Sequence, residues 1–74
     1  MPIEDLYKLI LQNIERQDPN DAIFELNQLN KMTQIDFTQE IKTLQDPDIM
    51  GQPQTLKEIQ QKVTKQFKAY QKQN

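Results

Sequence analysis

Carboxylates and amines are the reactive groups this sequence offers, because its 74 residues include no histidine and no cysteine. General acid–base catalysis near neutral pH then needs a carboxyl whose pKa is raised in a pocket, and so short a chain has little room to build one. Any metal site has to be all-carboxylate. Asp46 and Asp48 lie two apart and Asp18 and Asp21 three apart, but neither pair supplies the spacing or ligand number of a calcium-binding loop. Each pair brackets a proline, which reads as turn and helix-capping chemistry. The expectation is a protein that is not an enzyme and holds no cofactor and no metal.

The amines point to surface charge. Lys57, Lys62, Lys65, Lys68 and Lys72 crowd the C-terminal third with Glu58 as the one acid, whereas residues 1–50 carry ten acids against four bases. The two parts differ in sign, −6 against +4, while the whole chain carries −2. Phosphate recognition is not expected from this set, since no arginine accompanies those lysines and the pI is about 4.9. A dipolar chain can instead pair its own ends or stack head to tail with copies of itself.

Three helices account for the pattern that carries these groups. Pro2 suits a first helical turn, and Glu4 and Asp5 complement the positive end of the helix dipole. Ile3, Leu6, Tyr7, Ile10, Leu11 and Ile14 then fall on one stripe of a 3.6-residue repeat, predicting a helix over about 3–17. Gln17-Asp18-Pro19 is the expected structural turn, because a residue before proline is pushed out of the α region; Asn20 or Asp21 is available to cap the second helix. Leu26, Leu29, Thr33, Phe37, Ile41 and Leu44 form a narrow seam over about 21–45. Thr33 and Asp36 could each cap a restart, so a break near 31–36 fits. Thr55-Leu56-Lys57-Glu58 matches a capping box between Thr55 and Glu58, opening a third helix over about 55–71 with Leu56, Ile59, Val63, Phe67 and Tyr70 as its stripe.

The fold class expected is all-α: one small domain over 1–74, a helical hairpin plus a C-terminal helix. A chain of this length buries only about 60% of the surface its unfolded form exposes. Without disulfides or a metal, partner contact is the remaining way to add stability. No apolar run approaches the ~20 residues of a membrane span, and no cleavable signal is evident, so the expectation is a soluble protein.

One resemblance adds a setting. Leu6, Lys8, Leu9, Ile10, Gln12 and then Gln17-Asp18-Pro19 resemble the N-terminal region of flagellar hook-capping proteins. Glu25-Leu26 followed by Gln28-Leu29-Asn30-Lys31-Met32-Thr33-Gln34-Ile35-Asp36 looks like that family's second signature, and the resemblance covers about residues 4–45 in all. Met32 and Thr33 stand where the family has Phe and Ser, the linker after Pro19 is shorter, and the family's β-rich C-terminal domain cannot fit. The resemblance implies a protein exported without a cleaved signal peptide that caps a growing hook through reversible protein contacts.

The functional expectation is a non-catalytic protein–protein interaction module, possible settings being hook-cap-like assembly or export, a cytoplasmic helical adaptor, chaperone or inhibitor, or a needle-like secretion-filament subunit. Its partner is a protein or a second copy, with no nucleic acid and no membrane. The contact is expected on the first helix, through Leu6, Tyr7, Ile10, Leu11 and Ile14, because that helix carries more apolar surface than a small core requires.

Overall fold

A computed structural model of the chain describes residues 2–73, and among them every regular element is helical. Helix α1 spans Ile3–Glu15, α2 Pro19–Thr33, α3 Thr38–Leu44 and α4 Pro53–Gln73, with a single 3-10 turn at Ile49–Gly51. The chain is thus all-α, and the stretch expected to carry a second helix with a break near 31–36 holds two helices, α2 and α3.

Helix α1 ends two residues before the expected Gln17, and the backbone shows why. Gln17 takes the left-handed conformation at φ 61°. Its N–H donates to the Ile14 carbonyl (3.1 Å) and that of Asp18 to the Asn13 carbonyl (2.8 Å), the paired bonds of a Schellman motif. Asp18 then becomes the N-cap of α2, its carboxylate accepting the Asp21 N–H at 3.4 Å, and Pro19 takes the first helical position. Gln17, Asp18 and Pro19 do form a corner. The cap, however, is Asp18 where Asn20 or Asp21 was expected.

The break between α2 and α3 falls at residues 34–37, at the edge of the expected interval. Gln34 is left-handed at φ 67° and donates its N–H to the Asn30 carbonyl, an αL ending. Local side chains replace the lost helical bonds: the Thr33 hydroxyl accepts the Ile35 N–H, the Asn30 amide donates to the Ile35 carbonyl, and the Asp36 carboxylate accepts the Thr38 N–H at 2.9 Å. Phe37 is buried in the corner at 1% exposure, so the apolar seam stays continuous across the break.

A left-handed conformation costs a non-glycine residue roughly 1–2 kcal/mol, which glycine avoids at some entropic expense of its own. Gln17→Gly and Gln34→Gly are each expected to raise stability by about 1 kcal/mol, a rise in Tm of about 4–8 °C for a domain of this size. Thermal melts followed by circular dichroism check this. A drop in Tm for both would show that the glutamine side chains hold these corners.

Helix α4 starts at Pro53 and corrects the capping box expected at Thr55 and Glu58. Leu56 N–H bonds to the Gln52 carbonyl and the Thr55 hydroxyl donates to the Gln52 side-chain oxygen at 3.2 Å, so Thr55 lies within the first turn and Glu58 is an exposed residue one turn on. Proline at the first helical position fixes φ there and outranks the downstream Thr-x-x-Glu pattern.

Helices α1 and α2 form an antiparallel hairpin, and α4, 21 residues and about 31 Å long, packs along α1 from the other side. The core joins Leu6, Ile10 and Ile14 of α1 to Ala22, Leu26 and Leu29 of α2 and to Leu56, Ile59, Val63 and Phe67 of α4. Phe37, Leu44 and Ile49, from the segment between α2 and α4, complete it.

Candidate protein-binding surface

The five α1 residues expected to meet a partner divide sharply. Leu6, Ile10 and Ile14 are 3%, 0% and 1% exposed and belong to the chain's own core. The correction has a simple cause: α1 is the middle helix, covered on one side by α2 and on another by α4, so its six-position stripe is consumed internally. Tyr7 and Leu11 are half-buried against α4. The Tyr7 hydroxyl donates to Thr64 Oγ1 at 2.9 Å, and its ring stacks on Phe67 with centroids 4.4 Å apart. The Leu11 carbonyl accepts a bond from the Gln60 side-chain amide at 3.0 Å.

The apolar surface left to solvent lies on α2. Phe24 is 63% exposed and Met32 52%. Eight residues apart on one helix, they lie about 12 Å from each other with Gln28 between them. Beside Met32 runs a groove of about 520 Å³, lined by Leu6, Gln28, Lys31 and Met32. The spacing pattern singled out neither residue as a contact, since neither belongs to the Leu26–Leu29–Thr33–Phe37 seam. Phe24 does lie off the Leu26–Leu29–Thr33 line, which is the signal that could have found it.

A larger groove of about 710 Å³ lies between α1 and α4, with Leu11, Glu15 and Thr64 in its lining and Lys57, Lys65 and Lys68 around it. Those lysines share one face of α4. None of the three forms an ion pair among the described residues, where the pair present is Lys8 with Glu4 at 3.9 Å on the open surface. Such an exposed pair adds little to stability.

The acids gather elsewhere. Asp18 and Asp21 meet at the start of α2, and the Asp21 carboxyl is pushed above its ordinary range, first by its hydrogen bond with Asp18 and then by the Asp18 charge. Inside the hairpin, Glu25 is buried and accepts a 2.7 Å bond from the Asn13 side-chain amide. Burial raises its pKa above the ordinary 4.5, the Asn13 bond opposes that, and the charges of Asp21 and Asp18 add to the rise. Asp36 moves the other way, lowered by its bonds to Thr38.

Among the described residues no group of three or more histidine, cysteine, aspartate or glutamate side chains is placed to hold a metal ion, and no helix is long and apolar enough to cross a membrane. Comparison of the chain with protein-family models, curated proteins and solved structures finds no match in any of the three.

Proposed function

We propose that this chain is a non-catalytic protein-interaction module whose contact face is the solvent side of α2, anchored by Phe24 and Met32. The observation that carries the reading is the contrast within one small fold. Apolar residues from every helix are packed to a few per cent exposure, yet one aromatic and one flexible thioether stay open on the same helix, beside an apolar groove. Isolated surface apolar residues are ordinary, but an exposed aromatic and methionine sharing a face with a groove have the composition of an interface centre. Methionine adapts its shape to a partner, and phenylalanine offers a large buried area for little lost side-chain freedom. Hook-cap-like assembly or export rests on the resemblance over about residues 4–45; an adaptor or filament subunit would use the same face.

The test is the double variant Phe24→Ser with Met32→Ser. Both positions are exposed, so its melting temperature is expected to stay within a few degrees of the parent. Partners cross-linked to the parent in its own cell are expected to be lost. Recovery of the same partners in the same amounts by the double variant would overturn the assignment.

A further inference from the structure

We infer that the occupant of the lysine-walled groove between α1 and α4 is a second copy of this chain, which inserts Phe24 of its α2 with the Asp18 and Asp21 carboxylates against the lysines. This extends the reading of α2 as the contact face, and names what that face enters.

The two surfaces are complementary in charge, and the groove is large enough for the ring. The groove has Leu11 on its apolar side and three ammonium groups, Lys57, Lys65 and Lys68, with Glu15 as the one acid lining it. Its volume of about 710 Å³ readily admits an aromatic ring. Phe24 is the most exposed large apolar side chain described, and Asp21 lies one turn before it, where residues three apart share a helix face. Asp18 caps the same helix end. A ring entering the groove therefore carries two carboxylates toward three unpaired lysines, and an ammonium over the ring face adds attraction of its own. The Asp21 carboxyl, raised first by its hydrogen bond with Asp18 and then by the Asp18 charge, ionises more readily when lysines of the next copy approach.

The groove uses α1 and α4 only, and the inserted element belongs to α2, so the two surfaces share no residue. One copy can give its Phe24 and receive another's at the same time. Such a head-to-tail contact is heterologous and builds open lines or closed rings of copies. Each contact is small. A standard stable interface takes about 800 Å² from each partner, about a sixth of this chain's 5032 Å², and one ring with two ion pairs covers less. The association is weak and salt-sensitive.

Sedimentation equilibrium on the full chain tests this with two variants, Phe24→Ser, which keeps the groove, and Lys65→Glu with Lys68→Glu, which keeps the ring. All these positions are exposed, and circular dichroism confirms that each variant folds. The parent is expected to gain average mass continuously from about 10 µM to 1 mM protein, the weak end of association, and to lose at least about tenfold in association constant between ~50 mM and ~500 mM salt. Each variant alone stays at monomer mass. Their equimolar mixture reaches twice that mass and stops, because one intact ring meets one intact groove and neither copy can extend the pair. A parent that is monomeric throughout overturns the inference. So does association untouched by the lysine changes, which is the mark of symmetric α2 pairing, or a mixture that stays monomeric while the parent associates. If the parent is monomeric but Phe24→Ser with Met32→Ser still strips its cellular partners, the self-contact falls while the α2 contact face stands. If self-association follows the scheme while the double variant keeps those partners, the self-contact stands and α2 loses its role toward them.

Discussion

Phe67→Ala is expected to remove about 3–5 kcal/mol of stability, the usual cost of truncating a buried phenylalanine. The ring is 1% exposed, lies nearly parallel to Tyr7 with centroids 4.4 Å apart, and has Tyr70 at 6.4 Å on the same helix. Aromatic pairs contribute about 0.5–1.5 kcal/mol beyond the area they bury. At about 0.05–0.15 kcal/mol per residue, the 74-residue chain has about 4–11 kcal/mol in total. The loss therefore takes about a quarter of that stability at the least, and most or all of it at the low end. Urea titration followed by circular dichroism measures the change, with the exposed neighbour Lys68→Ala as a control expected to cost less than about 0.5 kcal/mol. Equal midpoints for the two variants would remove the Tyr7–Phe67 stack from the account of how α4 is held.

Glu25→Gln is expected to stabilise the chain at pH 7 by up to about 1 kcal/mol, because partial burial of the ionised carboxylate is only partly offset by its bond from Asn13. The carboxylate accepts one bond, from Asn13, and the residue is 9% exposed. Its folded pKa is raised above the unfolded value, so the folded state holds the proton more tightly. The resulting stabilisation is fully present below the unfolded value of about 4.5 and is lost as pH rises through the higher folded value. Urea midpoints of the parent should therefore fall as pH rises above about 4.5 toward neutrality, and those of Glu25→Gln should fall much less. Asp36, shifted the other way, acts only at more acid pH and leaves this window undisturbed. Parallel curves for the two proteins would show that Glu25 is solvated as an ion.

Helix content was legible from spacing because each stripe, once formed, has one face to hide. Leu56, Ile59, Val63 and Phe67 are all buried, and Leu26, Leu29, Thr33, Phe37 and Leu44 remain in line across a break. The cover for each face was not legible. An apolar stripe on α1 looks the same whether α2 and α4 or a partner lies on it, and this ambiguity misplaced Leu6, Ile10 and Ile14. Polar residues hid other features. Asn13 and Glu25 satisfy each other across the hairpin, and a one-dimensional pattern assigns both to solvent. Gln17 and Gln34 end helices in the left-handed region where glycine is the usual signal. The lysines of α4 read only as a charged C-terminal third, since the grouping of Lys57, Lys65 and Lys68 as one wall becomes visible only with α1 beside them.

The bonds that fasten α4 to α1 join residues 49 and 57 positions apart, whereas α1 and α2 meet across one short corner. Closing the longer loop is entropically dearer, so the docking of α4 rests on contacts that reach across most of the chain. Under the self-contact proposed above, the lysine wall of the socket is α4 itself, so a molecule with α4 undocked would carry a plug and no socket, and would end a line of copies where an intact one extends it.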